Sequence, residues 1–197
     1  DRQAENLGQD GKIEGGQYGV AVGGAASVTN EGSISGGKVG VAAGSGKVTN
    51  RGTITGESDS AVYLVNDGDV TNETTGIIAG GTAGVYSGGN LTLNNAGSIS
   101  GGEVGVAAGS GTVTNTGTIT GGIHGAYIAG AGDVTNSGTI AGTEGYGLQI
   151  GGNGTVRNSG SIRSTKNTAI YLSGTSATST VTNEVKGEIT GATHGIA

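Results

Sequence analysis

The sequence predicts an all-β protein wound as a parallel β-helix of about nine coils, with three short strands per coil and an Asn ladder at one corner. Three observations predict it. First, Asn recurs at positions 6, 30, 50, 72, 95, 115, 136, 158 and 183, each followed at short range by Gly and then Ile. Second, apolar and polar residues alternate with a period of two around each of these sites. Third, no stretch carries the 3.6-residue helical period. A unit of about 20 residues is also too short for a strand–helix–strand crossover in every repeat.

Each element of the coil follows in order. The first is Val-Thr-Asn-x-Gly-x-Ile, as in Val28 to Ile34, Val48 to Ile54, Val113 to Ile119 and Val134 to Ile140. Period two places Val28, Asn30, Gly32 and Ile34 inward and Thr29, Glu31 and Ser33 outward. The second is a short loop, often containing Gly-Gly. The third is an apolar pair around one outward residue, such as Val62-Tyr63-Leu64, Ala126-Tyr127-Ile128 or Leu148-Gln149-Ile150. A Gly-rich turn such as Gly44-Ser45-Gly46 then leads back to the Asn motif. Coils stacked at about 4.8 Å give a rod about 43 Å long.

The recurring Asn lies on the inward register at a bend. Stacking places Asn30, Asn50, Asn72, Asn95, Asn115, Asn136, Asn158 and Asn183 one above the next, each amide donating to its neighbour. Such a ladder satisfies amides whose burial without partners costs about 1–3 kcal/mol each. The Gly two residues later permits either a positive φ or a tight approach at the corner. Longer spacings at Asn6–Ile13, Asn72–Ile78 and Asn183–Ile189 read as bulged corners, and 173–180 reads as a protruding loop.

Composition sets the outer bounds. There are 46 Gly in 197 residues but no Pro, so collagen is excluded. Phe, Trp, Met and Cys are absent, so the core is built from Val, Ile, Leu and Ala. A formal net charge of −6 disfavours nucleic acid and anionic membranes as partners. Without Cys there are no disulfides and no thiolate metal sites. No apolar run approaches 18 residues, and Thr190 to Ala197 starts a further coil. The chain therefore reads as a single β-helix unit over 1–197, a mature or excised fragment.

No catalytic, metal or cofactor constellation stands out. His124 and His194 share one slot three coils apart, about 14 Å, and read as exposed loop histidines. Asn66-Asp67-Gly68-Asp69 reads as a solvated turn in preference to a weak cation site. Glu57, Asp59, Asp67 and Asp69 form the densest carboxylate group, as a polysaccharide-cleaving β-helix enzyme would need, but read as solvated charges. Asn72-Glu73-Thr74 is among the matches to the glycosylation acceptor pattern that a Thr-rich chain produces by chance. Thr rows such as Thr53/Thr55 and Thr118/Thr120 suggest an ice-binding face, but Ala141, Arg163 and Glu188 interrupt them.

One column is different. Tyr63, Tyr86, Tyr127 and Tyr171 each lie between two inward residues, all apolar but Ser87, in the same slot of different coils, with Ala21, Ala42, Ala107 and Gln149 in the remaining coils. Four tyrosines would line one exposed face. Tyr offers large contact area at low entropy cost and is enriched at binding surfaces, though it is also a good strand former.

The run Gly111-Thr112-Val113-Thr114-Asn115-Thr116-Gly117-Thr118-Ile119-Thr120-Gly121 resembles the passenger domains of bacterial autotransporters, and the same rhythm covers nearly the whole chain. The resemblance implies a right-handed parallel β-helix exported through the outer membrane by a C-terminal β-barrel that is not in this sequence. It implies a secreted or surface-displayed virulence factor, most often an adhesin, whose partner is a host receptor, matrix protein or glycan. The chain carries no serine protease motif, and no functional residue transfers from the family. A released host-receptor ligand of the angiogenic growth-factor-mimic type, a passive stalk or self-associating rod, and a polysaccharide-degrading enzyme are the alternatives.

Overall fold

The computed structural model describes residues 2–174 and 178–197. Among them there is no helix, and every strand pairing is parallel. The chain is a β-solenoid of about nine turns. One face is a nine-stranded sheet that begins with Lys12–Gly15, Ser33–Gly36 and Thr53–Gly56 and ends with Ser161–Ser164 and Glu188–Gly191. Isoleucine stacks on isoleucine through it: Ile34 pairs with Ile54, Ile54 with Ile78 and Ile99 with Ile119.

The two other strand segments of each coil belong to one 13-stranded sheet. Here the structure differs from three short strands per coil. In four coils the second and third segments run on as single strands, Tyr18–Asn30, Val39–Asn50, Ala83–Asn95 and Val104–Asn115. Their Gly-rich connectors stay extended enough to keep pairing, with a register shift at Val22/Ala25 and at Ser87/Asn90. Gly46 and Gly111 take φ of 134° and 139° there. Elsewhere, as at Val62–Leu64 and Gly68–Asn72, a true turn separates the segments.

The core is a narrow column of stacked aliphatics. Val28, Ile34, Val41, Val70, Leu93 and Ile119 are 1% exposed or less. Burying each such side chain contributes about 1.5–3 kcal/mol. Small residues are accommodated locally: Ser87 replaces an apolar residue in the core, and its hydroxyl donates to the Asn66 carbonyl at 2.7 Å.

The Asn ladder is continuous from Asn6 to Asn183. Asn30 Nδ2 donates to Asn50 Oδ1 at 2.8 Å, Asn95 to Asn115 at 2.7 Å, and Asn158 to Asn183 at 2.8 Å. From Asn6 to Asn158 each amide nitrogen also reaches a carbonyl of its own coil and one of the next, as Asn115 does with Gly117 at 3.1 Å and Thr139 at 3.1 Å. Among the described residues no buried side-chain nitrogen or oxygen lacks a partner. Asn72 is one of these buried rungs at 1% exposure, so its acceptor-like sequence is closed to glycosylation in the folded chain.

The motif glycine serves close approach, not positive φ. A Cβ on Gly117 would lie 2.1 Å from the Gly97 carbonyl oxygen, and one on Gly138 would lie 2.0 Å from that of Gly117. The corners with extra residues close as turns, with Gly76 N–H on the Glu73 carbonyl and Gly187 N–H on that of Glu184, both at 2.8 Å. The ladder passes them undisturbed because Asn72 and Asn183 still donate to the Gly76 and Gly187 carbonyls. The proposed 173–180 protrusion falls partly on 175–177, which lie outside the described residues. The further coil expected after Thr190 is present: Ile196 bridges Ile170, and Leu172 N–H bonds the Ala197 carbonyl.

Candidate binding face

The tyrosine column forms as the alternation requires. Backbone pairing runs Ala42 to Tyr63, Tyr63 to Tyr86, Tyr86 to Ala107, Ala107 to Tyr127, Tyr127 to Gln149 and Gln149 to Tyr171. The neighbours of each Tyr point inward, as with Val62 and Leu64, so the ring stands out from the sheet. Tyr86 is exposed, while Tyr63, Tyr127 and Tyr171 are half-buried.

The four do not form one continuous stack. Tyr63 and Tyr86 lie in adjacent coils with centroids 4.9 Å apart and planes 7° from parallel. Ala107 then interrupts the row, and Gln149 separates Tyr127 from Tyr171. Two residues of a neighbouring slot bridge the second gap. Tyr146 stacks on Tyr171 at 4.7 Å and on His124 at 5.4 Å, and His124 reaches Tyr127 at 6.1 Å. The face therefore carries an aromatic pair and an aromatic quartet.

His124 is not an exposed loop residue. Burial against these rings holds its pKa below 6.5 by desolvation. Its Nδ1 accepts the Tyr146 backbone N–H at 3.0 Å, so the ring is neutral with its proton on Nε2. The sequence does contain a signal for this slot. An aromatic residue precedes Gly at Tyr18-Gly19, His124-Gly125, Tyr146-Gly147 and His194-Gly195.

The structure disperses the acidic residues. Asp67 Oδ1 accepts the Asn90 backbone N–H at 2.8 Å, and Asp69 faces Lys47 at 3.4 Å. Asp59 accepts from the Ser60 hydroxyl at 3.1 Å, and Glu57 is exposed. Arg51 lies between Glu31 at 3.4 Å and Glu73 at 3.6 Å; such solvent-facing pairs contribute at most about 1 kcal/mol. Among the described residues no three His, Cys, Asp or Glu side chains converge as a metal site would require. The Thr rows are broken on the sheet itself by Ile77, which pairs with Thr53 and is 46% exposed.

Beside the aromatic pair the sheet is hollowed. An open groove of about 480 Å³ runs over Ala21 and Ala42, with Tyr18 and Tyr63 among its walls.

The comparisons add no family to this geometry: neither the family models, nor the curated proteins, nor the solved structures gave a match.

Proposed function

We propose that this chain is a non-enzymatic binding rod, the β-helical part of an autotransporter-type passenger displayed at or released from a bacterial surface. It engages a host-cell or matrix molecule through its aromatic face. The observation that carries this reading is the alignment of Tyr63, Tyr86, Tyr127 and Tyr171 on one face of a rigid scaffold. Stacking fixes the rings before any ligand arrives, so little conformational entropy is lost on contact. An extended face of this kind binds by many modest contacts, not by one deep pocket.

The passenger-like repeat supports the export route, which requires a C-terminal β-barrel in the full-length gene product. The binding reading is tested by replacing Tyr63, Tyr86 and Tyr127 together with Ser. Adhesion of the purified chain to host cells or matrix should fall while its β-type circular dichroism stays unchanged. Unchanged adhesion would remove the tyrosine face from the proposal.

A further inference from the structure

The groove between Tyr18 and Tyr63 is a gap in a repeating surface. The slot that carries Tyr in four coils carries Ala21 and Ala42 in two successive ones. Its floor is therefore methyl groups and backbone, two coils or about 9.6 Å along the rod. Gly23 and Gly44, at the register shift beside it, add no side chains to fill the space. One wall is the Tyr63 ring, backed in parallel by Tyr86, and Tyr18 stands exposed in the first of the two coils.

The rim is polar. Gln17, Lys38 and Asp59 occupy one stacked column, with Lys38 N–H on the Gln17 carbonyl at 2.9 Å and Asp59 N–H on the Lys38 carbonyl at 3.1 Å. Lys38 and Asp59 both line the groove. Neither takes part in the ion pairs found among the described residues, which involve Lys12, Lys47, Arg51 and Lys166. The groove thus presents apolar and aromatic surface beside one cationic donor and one anionic acceptor, with no net charge.

We propose that this groove binds a neutral saccharide chain, about two pyranose rings long. The carbon-bound hydrogens of a sugar ring pack on an aromatic face, and its hydroxyls both donate and accept. A Lys and an Asp side by side complement vicinal hydroxyls, whereas a ligand of either charge would meet one like charge. The volume lies within the range of small-ligand sites, which set a few polar groups against an apolar lining.

This inference rests on the binding-rod reading and names one ligand class for it. The test is calorimetric titration of the purified chain with defined neutral oligosaccharides, namely hexamers of glucose, xylose, mannose and N-acetylglucosamine. Heparin fragments and a proline-rich peptide serve as charged and peptide probes. The key variant is Ala42→Tyr, which fills the groove with a residue the same slot already holds in other coils. Lys38→Met with Asp59→Asn is the second variant, removing the charges without touching the core. At least one neutral hexamer should bind, and each variant should weaken it about tenfold or more. Absence of binding by all four hexamers, binding that Ala42→Tyr leaves unchanged, or preferential binding of heparin or peptide would overturn the proposal. Host adhesion that survives Ala42→Tyr but falls in the Tyr63/Tyr86/Tyr127 triple variant would keep the binding rod while removing the saccharide groove.

Discussion

The backbone N–H of Tyr146 donates to Nδ1 of His124 one coil below it, at 3.0 Å, and the two rings stack at 5.4 Å. Protonating Nδ1 removes the acceptor and places a charge among half-buried rings. Burial lowers the folded-state pKa below the ordinary 6.5, so the unfolded chain takes up this proton first. Stability from this site is therefore complete above pH 6.5. It declines as pH falls below 6.5 and is gone once pH has passed through the lowered folded value. In wild-type chain the thermal midpoint should fall over that window more than in His124→Gln, whose other titrating groups are the same. A His124 proton titration by NMR should give a midpoint under 6.5; one at or above 6.5 would contradict the arrangement.

The ladder makes a positional prediction. Asn115→Ala removes the donor to Asn136 Oδ1 and the acceptor of Asn95 Nδ2 in a fully buried setting. The cost is about 1–3 kcal/mol for the groups left unpaired, with a further contribution from the cavity. Asn183→Ala at the exposed end of the ladder should cost clearly less, because water can replace the lost partner. Chemical denaturation of both variants compares them. Asn115→Asp should be worse than Asn115→Ala near neutral pH, since a carboxylate cannot donate to Asn136 and is buried without a counter-charge. It should recover in acid as the carboxyl becomes neutral. Equal losses at Asn115 and Asn183 would mean the ladder stabilises no more at its centre than at its end.

Much of this was readable from the chain, and the unread part has a physical cause. Period two assigns Val28, Asn30, Gly32 and Ile34 to the inside, because one face of each strand is buried and a one-residue slip would expose its entire apolar set. The same alternation puts Tyr63, Tyr86, Tyr127 and Tyr171 in one outward slot. It does not tell that Tyr146 and His124 complete the second cluster, since that contact crosses between slots and depends on how the chain bends between Gly142 and Leu148. The groove was equally hidden. It is made by what Ala21 and Ala42 lack, and by loop lengths that stack Asp59 on Lys38.

The corner glycines separate steric need from backbone freedom. Gly117 has an ordinary φ, yet an added methyl would collide with the Gly97 carbonyl at 2.1 Å. Coil spacing there is fixed by the ladder and the flanking pairs, so neither side can yield. Gly117→Ala should destabilise by about 1–3 kcal/mol, the usual cost of overpacking. Gly24 has nothing within 4 Å of where its Cβ would be and no positive φ. Gly24→Ala should therefore be neutral, or stabilising by up to about 1 kcal/mol through the unfolded chain. Denaturation midpoints of the two variants, measured side by side, decide the point; similar effects at both sites would contradict the close-approach account.

The parallel pair Tyr63–Tyr86 should behave as one unit. Its near-parallel rings at 4.9 Å predict a coupling of about 0.5–1.5 kcal/mol in a double-mutant cycle with Ala at each position. Tyr86→Ala alone removes a ring from the exposed side of the sheet, where Ala107 already occupies the next slot, so the coil tolerates the change. Its more telling consequence is for the groove. Tyr86 does not line it, but without Tyr86 the Tyr63 wall is free to swing. Saccharide affinity should then drop several-fold although every lining residue is intact. Full affinity in Tyr86→Ala, together with a negligible coupling energy, would show that Tyr63 is held by its own strand and that the stack contributes nothing to the site.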